Sequence, residues 1–343
     1  MNGQRRNRWL LPLGAAIAMT ISPLAWTQNV KITPLGSHTG ELCDRDRATI
    51  FEDPTGVRIL YDAGQSVTGS TDPRLGVVHV VLLSHAHGDH IGDRKMSAQN
   101  AGTCAAPDTV SAAPNSTTAE IAAAKNAATM MIADMGVFVA RKIENIRGKP
   151  TPACTDNIVP YAAPCTVNVQ LGGKRTFKTA SAARAVEITV VPASHASHVP
   201  RALLTDPEKK NLEADDLTLD LGPPSGFVIK FTNGLVVYLS GDTGIHADMR
   251  AIVHDFHKAT LAFLNLGPNA VSPDAAAYII NELVRPVSVI ASHPNEAVTE
   301  GGKLLPNTRI KSFIDLVKDR PVYLALSGRT MEFDANAKCV AGC

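Results

Sequence analysis

The chain has 343 residues, 45% of them hydrophobic, with a formal net charge of +1 and only 5% aromatic residues. That length is enough to bury a large core, either as two domains or as one sandwich with insertions. The near-neutral charge excludes a broad phosphate-binding surface and the few aromatics exclude a base-stacking platform, so no nucleic-acid partner is expected.

Arg5, Arg6 and Arg8 precede a mostly apolar, uncharged run from Trp9 to Trp26. This reads as a signal peptide over residues 1–27, with Pro12, Pro23 and small residues near Ala25 favouring cleavage. A single membrane-anchoring helix is the rival reading, since the run is about long enough to span. A cleaved signal implies a periplasmic or secreted protein with no stable membrane association. The six cysteines, Cys43, Cys104, Cys154, Cys165, Cys339 and Cys343, fit an oxidising compartment. Sequence does not fix their pairing, although Cys154 with Cys165 and Cys339 with Cys343 suit local loops.

From residue 28 onward the chain reads as one domain, 28–343. Val30 to Leu35 opens a sheet, and Ala48 to Phe51 and Arg58 to Tyr61 follow as strands joined by the turn Asp53-Pro54-Thr55-Gly56. Val77 to Leu83 is an apolar, β-branched strand that runs into Ser84-His85-Ala86-His87-Gly88-Asp89-His90. If that strand persists to His87, its period of two places His85 and His87 on one side. Gly88 would then let the backbone turn, so that Asp89 and His90 aim at a neighbouring point. Three imidazoles and a carboxylate within six residues suit a borderline divalent metal such as zinc.

Residues 93–185 read as an insertion. A capping box at Thr117 and Glu120 starts a helix expected to run to about Asn145, stopped by Gly148 and Pro150. Ile188 to Val191 is a strand leading to His195, and a second, acidic insertion over 199–224 reads as a solvated loop. Gly226 to Phe231 and Leu235 to Leu239 form a hairpin across Asn233-Gly234. Asp242 and His293 each follow a strand-like run, Leu235 to Tyr238 and Val287 to Ser292. Helices are expected from Pro273 to Glu282 and from Ile310 to Lys318, with a closing strand at Val322 to Leu326.

The pattern H-x-H-x-D-H after an apolar strand, with His195, Asp242 and His293 in order behind it, resembles the metallo-β-lactamase superfamily. That resemblance implies an α/β fold, an αββα sandwich, holding two divalent metal ions. Zinc is the default metal, with manganese or iron as alternatives. It assigns His85, His87 and His195 to one metal, Asp89, His90 and His293 to the other, and Asp242 to both. It also gives Asp62 a supporting role beneath the metal loop.

A metal-bridging hydroxide would then attack a lactone, ester or phosphoester in a small-molecule substrate. Asp89 would orient that nucleophile, and His198 would serve as general acid or substrate contact. Pro192-Ala193-Ser194-His195 and Leu239-Ser240-Gly241-Asp242-Thr243-Gly244, with Leu266-Gly267-Pro268, resemble most the ascorbate-6-phosphate-lactonase-like branch. β-Lactamases of the superfamily carry Cys or Ser where this chain has Asp242, which disfavours a periplasmic β-lactam hydrolase. A non-catalytic metal-bearing scaffold would be expected to show a broken ligand set. His246 and His38 are weaker candidates for the rim of the site.

Overall fold

The computed structural model describes Met1, Gly3 and residues 28–343. Apart from Met1 and Gly3, the leader read over residues 1–27 therefore lies outside the described residues. Among the described residues, no helix is long and apolar enough to cross a membrane.

Two eight-stranded sheets face each other. The first runs Cys165–Val169, Ala128–Ile132, Val80–Leu82, Arg58–Tyr61, Thr49–Glu52, Val30–Pro34, Met331–Phe333 and Cys339–Ala341. The second runs Ile158–Val159, Lys174–Thr179, Val186–Pro192, Ser225–Lys230, Val236–Leu239, Leu261–Asn265, Ser288–Ser292 and Val322–Leu324. The central strands of both sheets are buried on both faces and so read as continuous apolar runs rather than alternating ones. Helix Ala133–Arg147 packs on Ala128–Ile132 and Cys165–Val169, while Pro273–Tyr278 packs on Arg309–Leu316. The architecture is the expected α/β sandwich.

Aromatic rings join the layers. Phe51 of the first sheet lies against Phe231 and Phe263 of the second, at centroid distances of 6.4 and 5.8 Å. Tyr61 meets Phe227 and Phe263 edge-on at 6.2 and 6.1 Å. At one end of the sandwich, the Asp53 carboxylate accepts hydrogen bonds from the Thr232 backbone and hydroxyl. At the other end, the Ser225 N–H donates to the Ser84 carbonyl at 3.0 Å, and the Gly241 N–H donates to the Tyr61 hydroxyl oxygen at 3.0 Å. Both links flank the histidine cluster, so the two halves of that cluster are held in fixed relation.

Several expectations are corrected. The helix expected from Thr117 to about Asn145 is two helices, Thr117–Lys125 and Ala133–Arg147, with strand Ala128–Ile132 between them. Asn126 ends the first helix in the left-handed conformation (φ 51°), and after Ala127 the five residues Ala128–Ile132 enter the first sheet between two parallel neighbours. Sheet burial outweighs the helix propensity of an Ala- and Met-rich run. Residues 93–185 are thus not wholly an insertion, because Ala128–Ile132, Cys165–Val169 and Lys174–Thr179 belong to the sheets.

The acidic stretch 199–224 contains an exposed helix, Asp206–Ala214, started by a capping box between Thr205 and Glu208. Strand Val80–Leu82 ends before His85 rather than persisting to His87, because His87 caps the short helix Gly88–Ile91. Helix Met249–Phe256 had no expectation attached to it.

Phe51 is fully buried between the sheets. Phe51→Ala should lower unfolding free energy by about 3–5 kcal/mol in urea titration. A loss below about 1 kcal/mol would contradict its place at the seam.

Candidate metal centre

The candidate residues all stand where strands end at one edge of the sandwich. From the first sheet, Asp62 follows Arg58–Tyr61, and residues 84–90 follow the parallel strand Val80–Leu82. From the second, His195 follows Val186–Pro192, Asp242 follows Val236–Leu239 and His293 follows Ser288–Ser292. Loops at the ends of rigid strands are favourable places for chemistry, since the scaffold fixes them.

Three groups of donor atoms converge: His85, His87 and His195; His85, His90 and Asp242; and Asp89, His90 and His293. His85 and His87 still meet although the strand stops short of them, with Nε2 of His85 3.1 Å from Nδ1 of His87. Nε2 of His90 lies 3.0 Å from Nε2 of His293. The two oxygens of Asp242 divide between the groups. Oδ2 is 3.7 Å from His195 Nε2, while Oδ1 is 2.9 Å from His293 Nε2 and 3.4 Å from His90 Nε2. All seven residues singled out as metal ligands are thus brought together.

Close approach requires two glycines here. A Cβ on Gly267 would stand 2.8 Å from the His293 ring, and one on Gly88 would stand 2.6 Å from the Asp93 carboxylate. The chain turns from His87 into the short helix at Gly88, whose φ is not positive.

Asp62, with φ 41°, sits beneath the cluster. Its Oδ1 accepts from the Ser84 N–H at 2.8 Å, and its Oδ2 accepts from the Ser84 hydroxyl at 2.8 Å and from His90 Nδ1–H at 2.8 Å. The Ser84 oxygen, its own proton given to Asp62, accepts from His85 Nδ1–H at 3.0 Å. One buried carboxylate therefore sets the tautomer of both imidazoles and turns the Nε2 lone pairs towards the cluster.

Arg47 was not singled out from the sequence, and its side chain is only 2% exposed. Its Nη2 donates to Asp89 Oδ2 at 2.7 Å and also to Asn295 Oδ1, which ties the first sheet's loop to the loop carrying His293. No motif marked Arg47, because its partners are distant in sequence.

Electrostatics favour a cation. Burial pushes the Asp242 carboxyl up, but His293 and His90 outweigh it and hold the group well below the usual carboxylate range. Asp89 behaves likewise, its burial outweighed by Arg47 and then His90. For His85, burial is the largest cause and the charge of His90 adds to it, so the ring is held well below the ordinary imidazole range. His90 goes the other way: burial lowers it, yet Asp242, Asp62 and Asp89 together push it up to about 10.

The donor set fits a metal on geometric grounds. Asp242 Oδ1 and His293 Nδ1 are buried without a hydrogen-bond partner among the described residues. His90 Nε2 and His293 Nε2 stand 3.0 Å apart and both lie close to Asp242 Oδ1, a convergence of donor atoms that suits a cation.

His198 lies at the rim, half-exposed, its ring 5.9 Å from that of His87 and its Nδ1 3.6 Å from Asp220 Oδ2. His246 has no hydrogen-bond partner for either ring nitrogen among the described residues, its Nδ1 lying 4.0 Å from Asp248, and His38 is bonded to Ser37 at 3.0 Å. Neither joins the three groups of donor atoms. Above the cluster opens a cleft of about 510 Å³ that includes Asp89, Asn269 and Asn295 in its lining.

The family described as beta-lactamase superfamily domain matches residues 57–299, more than half of the chain. The chain belongs to the metallo-β-lactamase superfamily. It is similar to a metal-dependent hydrolase of Polynucleobacter asymbioticus, with 26% identity over 73% of this chain and 72% of that one. A metal-dependent hydrolase of Koribacter versatilis is 25% identical over 78% of this chain and 84% of that one. A solved metallo hydrolase from the archaeon Ignicoccus hospitalis has the same fold, with a TM-score of 0.54 and 21% identity over 89% of this chain and 99% of that one. Membership in this superfamily makes the chain a metal-dependent hydrolase, and its His and Asp groups are suited to hold metal.

Two outcomes follow for metal binding. Asp62→Asn removes the acceptor for His90 Nδ1–H and should weaken metal affinity about 10- to 100-fold in a chelator competition. An unchanged affinity would show that the tautomers are set elsewhere. Because His90 in the metal-free protein titrates at about 10, it carries a proton at neutral pH that an incoming metal must displace. Affinity should therefore rise with pH up to that value, and calorimetry in two buffers of different ionisation enthalpy should register proton release. Metal uptake without proton release would contradict the assignment.

Proposed function

We propose that this chain is an exported hydrolase that works with two divalent cations, zinc by default, on a lactone, ester or phosphoester of a small molecule. The observation that carries the reading is the division of Asp242, with one oxygen towards His195 and the other towards His90 and His293. His85, His87 and His195 would hold one cation and Asp89, His90 and His293 the other, with Asp242 shared. Bound there, the two ions would supply Lewis acidity and a water acidic enough to act as nucleophile near neutral pH.

The chain's own residues do the rest. Asp62, directly at His90 and through Ser84 at His85, holds the Nδ1–H of each ring and so aims Nε2 at the cluster for ligation. Arg47 holds Asp89, leaving the other carboxylate oxygen to orient a water by accepting its proton. His198, half-exposed with its ring 5.9 Å from that of His87 and its Nδ1 3.6 Å from Asp220, would give a proton to the departing oxygen of the substrate. The three disulfides, Cys43–Cys104, Cys154–Cys165 and Cys339–Cys343, support an oxidising destination and hence the reading of residues 1–27 as an export signal. The lactonase-like branch is the favoured relative because Asp242 stands in its motif, whereas its sugar-phosphate substrate sits poorly with export.

The test pairs metal analysis of the purified protein with hydrolysis of a lactone, a phosphodiester, a phosphotriester and a β-lactam. About two metals per chain, with one class turned over and Asp242→Ala inactive, is the expected result. Absence of bound metal, or activity indifferent to Asp242, would overturn the mechanism. His198→Gln should lower kcat by about 10²-fold with an altered alkaline limb of the pH profile, and should leave metal content unchanged. A profile identical to that of the unaltered protein would remove His198 from proton transfer.

A further inference from the structure

A second cavity, of about 410 Å³, opens beside the metal cleft, and the two share Asp44, Arg45 and Gln65 in their linings. Its far wall lies further along the chain than the ligand loop. It comes from the loop and short strands after His90, where Arg94, Met96, Ala106 and Thr109 face the space. This wall is fixed by covalent and backbone links. Cys104 is joined to Cys43, the Asp44 N–H donates to the Cys104 carbonyl at 3.0 Å, and the Asn100 N–H donates to the Ser37 carbonyl at 3.0 Å. The cavity is therefore a built feature with a rigid rim.

Its polarity is one-sided. Two guanidinium groups, those of Arg45 and Arg94, line it against one carboxylate, Asp44. Arg94 is engaged with Thr109 through Nε and Nη2. Arg45 stands at the junction of the two spaces, with Nη1 donating to Gln65 Oε1 at 3.1 Å and Nε 3.5 Å from Asp44. Its Nη2 has no partner among the described residues. The Arg45 backbone is held at φ 60°, a conformation that side-chain-bearing residues rarely adopt without surrounding constraint. The Asp44 N–H and the Asp46 carboxylate on either side make fixed contacts, so the backbone that carries the exposed Arg45 side chain is held in place.

We propose that this side cavity receives a pendant arm of the substrate ending in an acidic group, with Arg45 as the residue that selects it. The inference rests on the hydrolase reading above and names the class within it: esters or lactones whose acyl portion carries a second carboxylate. A guanidinium fork matches a carboxylate in two parallel hydrogen bonds, and the reacting bond at the metal cleft fixes the other end. Acyl length between the two then becomes the measure of fit.

The experiment uses the metal-loaded full chain and calorimetric titration with product-like acids. Dicarboxylates from succinate to suberate are compared with monocarboxylates of equal carbon number. At one chain length the dicarboxylate should bind about tenfold more tightly than its partner. That preference should vanish in Arg45→Gln, and in Ala106→Trp, which fills the cavity from an exposed position. Equal binding of the two acids at every length would overturn the proposal, as would a preference that survives either substitution. Turnover of the matching methyl esters is followed in parallel. If no ester is hydrolysed, the hydrolase reading for this class fails, while the binding difference still decides the cavity.

Discussion

A single buried carboxylate governs the centre. Asp62 binds both the backbone and the hydroxyl of Ser84 and the Nδ1–H of His90, and Ser84 passes the constraint on to His85. Without it, His85 and His90 would each choose a tautomer independently, and most of the combinations would point a proton where a cation belongs. The cost is visible in the backbone, since Asp62 adopts a positive φ that only a well-determined environment sustains. The strands Arg58–Tyr61 and Val80–Leu82, paired in parallel with Tyr61 opposite Leu82, are what bring Asp62 and Ser84 to the same level.

The charge pattern follows from that arrangement. Asp62, Asp89 and Asp242 are gathered around His90, and Arg47 is the only guanidinium in direct contact with that group among the described residues. A proton on His90 relieves part of the surplus in the metal-free chain, and a divalent cation relieves more. The site thus gathers carboxylates and imidazoles in a buried setting that favours a cation more strongly than water would.

Much of this was legible in the sequence, and for identifiable reasons. His85, His87, Asp89 and His90 lie within six residues, and His195, Asp242 and His293 each follow an apolar run, so local pattern sufficed for the ligands. Asp62 was recognisable only through resemblance to the superfamily. Arg47 and Asn295 were invisible, because an arginine in a loop acquires meaning only from a partner 42 or 248 residues away. The strand Ala128–Ile132 was hidden for a related reason. Its Ala-Thr-Met-Met-Ile sequence is compatible with a helix, and only its place between two strands of the first sheet decides otherwise. Cys43 with Cys104, separated by 61 residues, likewise escaped local reading, whereas Cys154–Cys165 and Cys339–Cys343 did not.

The register of the first sheet also fixes how the molecule would be presented. Pro34 pairs with Thr49, Thr49 with Tyr61 and Tyr61 with Leu82, so these residues mark the edge that bears the metal ligands. Lys31, Glu52 and Arg58 mark the opposite edge, and Val30 begins there beside Phe333. Whatever precedes residue 28 joins the sandwich at its base, with the length of the strands between it and the cleft. A chain held to a surface by a segment ahead of Val30 would carry the histidine cluster on the side away from that surface.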